Sequence, residues 1–316
     1  MKASYTREGS SVRESVRLKT HKTRHLKTVS LLSLKHRFRH LIVGGSNPSP
    51  PTISKEVLPG DPQETEGVPS IITPILAEDL GIQLGDGSVQ INTYEDYRTD
   101  DFIVSCAGHK KEDRPYIKEV VLNIKKYLYD VNIKTRVNVR AGTFMLEIFS
   151  KRLVKFYEKL GLPIGKKEEL SVPRAVYKDD DFLKAFLRGL ADTDGSLMFK
   201  RKYKDRHYYP VLKISNSCRE FILEISKILD DFGISNYTHL GESYLDRRTD
   251  KTYTKHNLYL NGSKRVKKWM EEISFNNPKH LTKYLVWKKF EFCPPRTTLE
   301  ERIKILEDKK DPKEYY

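Results

Sequence analysis

Residues 75–88 read ILAEDLGIQLGDGS, and residues 186–196 read FLRGLADTDGS. Both stretches have the apolar spacing of an α-helix and end in Asp-Gly-Ser, which predicts helices from about residue 74 to 86 and from about residue 180 onward. Small residues recur four positions apart in each helix, namely Ala77, Gly81 and Gly85 in the first and Ala185, Gly189 and Thr193 in the second. Because residues four apart share one face, the two helices are expected to pack closely through these stripes.

Asp86 and Asp194 follow the two stripes at the same offset, so close packing would bring both carboxylates to one end of the helix pair. A single Asp-Gly after a helix is more often a C-terminal cap than a metal site, because Gly readily takes the left-handed conformation there. Two matched ends favour a functional role. Two adjacent carboxylates repel unless a cation lies between them, and Mg²⁺ is the first expectation because it prefers oxygen ligands.

The two stretches resemble the signature motifs of the LAGLIDADG homing endonucleases, the second almost letter for letter from Gly189 to Gly195. The resemblance covers roughly residues 71–295. The first motif has Leu84 where the second has Asp192, but only the last acid of each motif is the family's metal ligand. The resemblance implies an α+β fold with two pseudo-symmetric αββαββα repeats, residues 71–178 and 179–295, whose antiparallel sheets form a DNA-binding saddle.

The family resemblance also implies a function. It predicts a monomeric, site-specific endonuclease that hydrolyses both strands of a long double-stranded DNA target with Mg²⁺, for which Mn²⁺ can substitute, and that needs no obligate protein partner. The implied metal ligands are Asp86, Asp194, Gly85 and Thr193, and the implied catalytic lysines are Lys279 and Lys166, with Lys167 as the alternative to Lys166. Asn216 and His109 fall near positions that orient water in relatives. A strand-end Asn is more often a cap, and His109 is more often a bystander.

Two strand-like runs carry alternating polar side chains. Ile133, Thr135, Val137 and Val139 alternate with Lys134, Arg136, Asn138 and Arg140, and the run from Lys255 to Asn261 alternates similarly, which predicts one apolar and one polar face. Arg pairs well with guanine and Asn with adenine in the major groove. A solvated strand face is the alternative for either run alone. The candidate DNA-binding residues are Lys134, Arg136, Asn138, Arg140, Lys200, Lys202, Lys213, Lys255 and Asn257.

The composition favours a polyanionic partner. The chain has 58 Lys and Arg against 43 Asp and Glu, a net charge of +15 and a pI of about 9.4. No apolar run approaches the length of a membrane-spanning helix, so a membrane partner is not expected. Cys106, Cys218 and Cys293 are odd in number and far apart, which fits neither disulfides nor a zinc site. We expect reduced, mostly buried thiols in a cytoplasmic, prokaryotic-like compartment.

Residues 1–70 are predicted to be a basic, disordered tail and linker, because residues 1–40 are rich in Lys and Arg and residues 45–70 in Pro, Gly and Ser. Three interpretations stay open. The tail can be an organellar transit peptide, which makes an organelle the alternative location, or a DNA-binding arm. It can also be flanking sequence read through in frame, because residues 45–48 can be encoded by GGTTCGAATCC, which resembles a transfer-RNA gene. Residues 296–316 are predicted to be a charged C-terminal tail.

The main alternative function is nucleic-acid binding without cleavage. An intron maturase, with intron RNA as its partner, or a degenerate DNA-binding regulator would share the fold. Loss of a motif acid would indicate such a protein, but both Asp86 and Asp194 are present. Because maturase activity can coexist with intact acids, only a splicing assay separates the two.

Overall fold

The computed structural model describes residues 67–94, 100–138, 142–246 and 250–316. The predictions for residues 1–66 and for Arg140 lie outside the described residues. Within the described parts the chain forms two repeats of the same order, so the predicted α+β fold of paired αββαββα repeats is confirmed. No helix in these parts is both long and apolar enough to cross a membrane.

The first repeat begins with the helix α1 and alternates helices with pairs of strands. Its elements are α1 (Pro74–Leu84), β1 (Gly87–Asn92), β2 (Asp101–His109), a continuous helix α2 built from Arg114–Tyr116, the π-helical turn Ile117–Val121 and Leu122–Leu128, then β3 (Ile133–Asn138), β4 (Thr143–Phe149) and α3 (Lys151–Lys159). A 3-10 turn, Arg174–Lys178, leads into the second repeat.

The second repeat follows the same order and is extended at its end. Its elements are α4 (Asp180–Thr193), β5 (Gly195–Lys200), β6 (Tyr209–Asn216), α5 (Arg219–Asp231), β7 (Tyr237–Asp246), β8 (Lys251–Asn261), α6 (Ser263–Glu272), α7 (Pro278–Phe290), α8 (Leu299–Leu306) and the 3-10 turn Pro312–Tyr315. Each repeat contributes one four-stranded antiparallel sheet, with strand orders β1-β2-β4-β3 and β5-β6-β8-β7.

Local signals explain where the two motif helices begin. The Thr73 hydroxyl accepts the backbone N–H of Leu76 at 3.2 Å, and Pro74 occupies the first turn, where its missing N–H costs nothing. The Asp179 carboxylate caps α4 by accepting the N–H of Asp181 at 2.8 Å. Capping of this kind contributes about 1 kcal/mol to a helix, so both helices start where the sequence predicts.

The two repeats meet along α1 and α4, and the small-residue stripes form the contact. A methyl group added to Gly81 would stand 2.1 Å from the carbonyl oxygen of Phe186, and one on Gly189 would stand 2.2 Å from that of Glu78. Because a real Cβ essentially never comes within 3.0 Å of such an atom, only glycine permits this approach. The predicted close packing of the two stripes is therefore present.

Buried charges also anchor α1. The Asp79 carboxylate pairs with the fully buried ammonium of Lys125 on α2 at 2.8 Å and accepts hydroxyl hydrogen bonds from Tyr129 at 2.7 Å and Tyr157 at 2.5 Å. Glu78 pairs across the repeat interface with Arg188 of α4 at 2.7 Å. Loss of one partner from a buried pair of this kind destabilises the protein, because the other charge is left buried and unpaired. The two pairs therefore fix the position of α1 against both its own repeat and the second.

Residues 296–316 do not form the predicted tail. They build α8, which begins with a capping box between Thr298 and Glu301, and its residues Arg302, Ile305 and Leu306 are buried. The sequence prediction missed this helix because it is short and its four apolar residues are interleaved with four charged ones. The buried Arg302 guanidinium donates to the Thr282 hydroxyl on α7 at 2.9 Å, which attaches the segment to the second repeat.

Candidate active site at the ends of the paired helices

Asp86 and Asp194 lie where the two motif helices end and their first strands begin. Gly85 caps α1 and Asp86 precedes β1, whereas Asp194 itself caps α4 and precedes β5. The two ends are in close contact, because a Cβ on Gly85 would overlap the Thr193 hydroxyl. The structure thus brings together the two carboxylates that the matched motifs predict.

Both carboxylates hold their protons more tightly than usual. Burial, and next the charge of Asp86, raise the pKa of Asp194 to about 7, against the lowering effects of Lys167, Asn216 and Lys255. Desolvation by the surrounding protein, and next the charge of Asp113, raise the pKa of Asp86 to about 6, although part of the residue is exposed to solvent. A bound cation reduces the repulsion between crowded carboxylates of this kind.

The lysine beside the first helix end is Lys167 and not Lys166. The Lys166 side chain is 88% exposed and its ammonium stands 3.7 Å from Glu168. The Lys167 ammonium instead donates to the last carbonyls of α1, those of Gln83 at 3.1 Å, Leu84 at 2.8 Å and Gly85 at 2.5 Å. These carbonyls lack helical partners and attract a cation, which explains why Lys167 turns inward and Lys166 outward.

Burial lowers the pKa of Lys167, and the charges of Asp194 and Asp86 act in the opposite direction. The ammonium therefore lies within the electrostatic reach of both motif carboxylates. The position expected for Lys166 belongs to Lys167, the alternative that the sequence left open.

Lys279 reaches the site from the first turn of α7. The start of α7 is held by Asp192, whose carboxylate accepts the backbone N–H groups of Asn276 at 2.8 Å and Asn277 at 3.0 Å. Asn277 in turn caps α7 by accepting the N–H of Lys279 at 3.0 Å. Asp192, the acid that the first motif lacks, is thus an anchor for the helix that carries Lys279.

Asp113 belongs to this cluster and was missed by the sequence prediction. Its carboxylate forms an ion pair with the Lys279 ammonium at 2.9 Å and accepts the backbone N–H of His109 at 3.0 Å. The only sequence signal is Asp113-Arg114-Pro115, a typical start of a helix, which does not reveal that the carboxylate faces α7 across 166 residues of chain.

Asn216 and His109 have different surroundings. The Asn216 amide donates to the Asp194 carboxylate at 3.3 Å and its oxygen accepts the N–H of Cys218 at 2.9 Å, so Asn216 lies in the cluster as predicted. The His109 ring accepts the backbone N–H groups of Lys111 at 3.4 Å and Glu112 at 3.2 Å. That ring nitrogen stabilises the turn after β2, which agrees with the alternative in which His109 has no catalytic role.

Of the four predicted metal ligands, only the two carboxylates offer oxygen donors to a hard cation such as Mg²⁺. Among the described residues, no group of three or more carboxylate, imidazole or thiol side chains could hold a metal ion by itself. Asp86 and Asp194 supply oxygen donors, but the Gly85 carbonyl is engaged by the Lys167 ammonium, and the Thr193 hydroxyl donates to the carbonyls of Gly189 and Leu190 at 3.0 Å each. Two crowded carboxylates fit a divalent cation that completes its coordination with water and phosphate oxygens.

The first candidate DNA-binding strand, β3, is an edge strand with both faces largely exposed. Lys134 and Arg136 are exposed as predicted, and Arg136 also pairs with Glu147 at 2.8 Å. The predicted apolar face is wrong beyond Ile133, because Thr135 is exposed and Val137 is 45% exposed. This edge strand packs mainly against its neighbour β4, so alternation in the sequence does not produce a buried face here.

The second candidate strand, β8, contains one correction. Asn257 is fully buried, where it accepts the Ser215 hydroxyl at 2.7 Å and donates to Glu242. It is therefore not available to read a base. Lys200, Lys202 and Lys255 are exposed, and Lys213 is half-buried with its ammonium 3.7 Å from Glu242. Asn138 on β3 is half-buried.

A family model described as LAGLIDADG-like domain matches residues 181–274. These residues include the second motif helix, both hairpins of the second sheet and α5. The match confirms the resemblance that the two motifs predict.

The chain is also similar to segments of two curated proteins with different names. It is 24% identical over 259 residues to the tRNA-splicing ligase RtcB of Methanopyrus kandleri and 25% identical over 210 residues to the replication factor C small subunit of Methanocaldococcus jannaschii. The alignments cover 76% and 66% of this chain but only 24% and 10% of those relatives.

Two groups of solved structures are similar at low identity. Variants of the homing endonuclease I-DmoI are 21% identical, with 64% of this chain and 95% of that chain covered and a TM-score of 0.45. The LAGLIDADG homing endonuclease I-GzeII, solved with its DNA target, is 11% identical, with 75% and 92% covered and a TM-score of 0.45.

Proposed function

We propose that this protein, whose second repeat matches a LAGLIDADG-like domain, is a site-specific DNA endonuclease. It hydrolyses both strands of its target with a divalent cation, and Mg²⁺ is the preferred candidate. One observation carries the proposal: Asp86 and Asp194 end two helices that pack through glycine, and burial, followed by the charge of Asp86, raises the pKa of Asp194. A purely structural role at the ends of two helices does not require two carboxylates to lie this close together.

The neighbouring side chains suit work on a phosphodiester. Lys167 and Lys279 bring ammonium groups to the same cluster, and fixed positive charge stabilises the negative charge that develops on an attacked phosphate. Asn216 uses one amide N–H on Asp194 and has a second with which to orient a water molecule. Asp86 and Asp194 would hold the cation, which when bound activates water and stabilises the leaving oxygen.

Duplex DNA suits the surface charge. Exposed cationic side chains lie on or beside strands of both sheets, namely Lys134, Arg136, Lys200, Lys202 and Lys255. Together with the net charge of +15, they favour a long polyanion, and phosphate contacts of this type position a protein on DNA without reading its sequence. Base reading by Arg136 is part of the proposal.

The named roles of the curated relatives are not proposed for this chain. The similar segment occurs in a ligase and in a replication factor subunit, and it makes up a quarter or less of each relative. We infer that a segment shared by two proteins with unrelated names is responsible for neither role. This distribution supports an activity that belongs to the segment itself.

The test is cleavage of plasmid DNA that carries the cognate site. The Asp86→Asn and Asp194→Asn variants keep the shape of the side chain but lose the charge that holds a cation, so each is expected to lose double-strand cleavage in Mg²⁺ by more than 100-fold, roughly 3 kcal/mol in the barrier. Supercoiled, nicked and linear forms are followed over time. Asp231→Asn, an exposed position on α5, is the control.

The outcomes separate the proposed function from its alternatives. Cleavage by the wild type that survives in the Asp86→Asn/Asp194→Asn double variant would refute the active site. Tight, specific DNA binding by the wild type without cleavage in Mg²⁺ or Mn²⁺ would favour a binding protein. Binding to intron RNA with faster splicing would favour a maturase.

A further inference from the structure

The strand registers align the two repeats residue by residue. Gly87 of β1 pairs with Cys106 of β2, and the equivalent Gly195 of β5 pairs with Ile214 of β6. Two residues further along each second strand stand Gly108 and Asn216. The residue that contacts the motif carboxylate in the second repeat therefore has a glycine as its counterpart in the first.

Asp113 fills the space that Gly108 leaves. A Cβ on Gly108 would lie 2.7 Å from the Cβ of Asp113, so no larger residue fits at Gly108 beside that carboxylate. The chain reaches Asp113 through the turn at residues 110–112, whereas the second repeat needs only Ser217 to pass from Asn216 to its helix cap. In the second repeat the Asn216 amide contacts the motif acid Asp194. In the first repeat the carboxylate of Asp113 lies near the motif acid Asp86 instead.

Asp113 binds the lysine that serves the same cluster. One carboxylate oxygen accepts the Lys279 ammonium at 2.9 Å and the Asn277 amide at 3.4 Å, and the other accepts the N–H of His109. The Lys279 and Asp113 side chains are 25% and 13% exposed. The pair therefore joins the first repeat to α7, with its ammonium near Asp86.

We propose that Asp113 is a positioning residue that holds the Lys279 ammonium beside Asp86 and keeps it from pairing with Asp86. The proposal rests on the proposed nuclease function. Lys279 forms its ion pair with Asp113, and its charge also lowers the pKa of Asp86. Without the charge of Asp113 the ammonium would be free to pair with Asp86, and a carboxylate neutralised by an ammonium holds a divalent cation poorly.

The first test is a double-mutant cycle on cleavage rate. Asp113→Asn keeps the hydrogen bond to His109 but removes the charge, so it should slow cleavage at least tenfold and raise the Mg²⁺ concentration needed for half-maximal rate. Because Asp113 acts through Lys279, the Asp113→Asn/Lys279→Met double variant should be no slower than Lys279→Met alone. Effects that multiply would overturn the proposal.

Two further variants separate positioning from a general structural role. Asp113→Glu restores the charge and should recover most of the rate and the Mg²⁺ requirement. Asp308→Asn removes the acid of a more exposed ion pair, 2.7 Å from the Lys289 ammonium on the far end of α7, and should leave both unchanged. Equal loss in Asp113→Asn and Asp113→Glu, with folding verified by thermal unfolding, would contradict the proposal.

A measurement without DNA keeps this inference separate from the nuclease function. In protein labelled with ¹⁵N-lysine, the Nζ resonance that disappears in Lys279→Met reports the position of that ammonium. It should shift in Asp113→Asn and return in Asp113→Glu. An unchanged resonance in Asp113→Asn would overturn the positioning role even if the wild type cleaves DNA, whereas a wild type that cleaves no DNA but shows the shift would refute only the nuclease.

Discussion

At the scale of single residues, Asp194 destabilises the folded protein when it is ionised. Its pKa rises from 3.8 to about 7 on folding, so the folded state holds the proton more tightly than the unfolded chain does. The stabilising effect of that proton is complete below pH 3.8 and is lost as the pH rises through about 7. Near neutral pH the site therefore stores unfavourable charge that a bound cation would remove.

Asp194→Asn should accordingly raise the melting temperature in metal-free buffer. The gain is expected to be absent near pH 4, to grow up to about pH 7 and then to level off, reaching about 2 °C or more. Thermal unfolding across this range in the presence of a chelator measures it, with the exposed Asp231→Asn as the control. A gain that is the same at every pH, or no gain at all, would contradict the assigned burial.

Single residues were also where sequence reasoning failed most often. The motif acids could be predicted because each stands at a fixed offset from its own helix stripe. Lys166 and Lys167 are neighbours, and only the orphan carbonyls at the end of α1 decide which one turns inward. Asn257 alternates correctly along β8 but is buried by Ser215 and Glu242 from two other strands, which local spacing cannot reveal.

At the scale of elements, the pair of α1 and α4 determines the distance between the two carboxylates. Each helix could be predicted because apolar and small residues recur with the helical period, and the need for glycine follows from that spacing. The edge strand β3 was harder, because it packs mainly against its one neighbour β4 and leaves Val137 exposed, which the alternation does not reveal. Periodicity predicts an element well and its burial less well.

Gly189→Ala tests the helix contact directly. Alanine favours a helix by about 1 kcal/mol over glycine, but here the new methyl group would stand 2.2 Å from the backbone carbonyl of Glu78. The two helices must separate, so we expect a net loss of about 1–3 kcal/mol in unfolding free energy and slower cleavage. Chemical denaturation measures the loss, with Lys227→Ala on the exposed face of α5 as the control. Unchanged or higher stability would show that the stripes are not in close contact.

At the scale of the whole molecule, the second repeat has an addition that the first lacks. Residues 293–298 and Arg302 line a cavity together with His109 and Lys279. Arg302 reaches Glu112 in the turn of the first repeat at 3.2 Å, and the Glu112 carboxylate accepts the N–H of Leu299 at 3.3 Å. The C-terminal segment thus connects both repeats beside the candidate active site.

Deletion of residues 297–316 should therefore destabilise the protein and slow cleavage. Ile305 and Leu306 are buried, and each contributes about 2 kcal/mol of apolar burial, while the loss of Arg302 removes a buried guanidinium that holds Thr282 and Glu112. The matched comparison is deletion of residues 1–65, whose sequence lacks an apolar face. That deletion should leave folding and specific cleavage nearly intact and reduce only non-specific, salt-sensitive DNA binding.

Thermal unfolding and plasmid cleavage assays measure the stability and the activity of both truncated proteins. A stable, active protein without residues 297–316 would show that the C-terminal helix contributes neither to stability nor to cleavage.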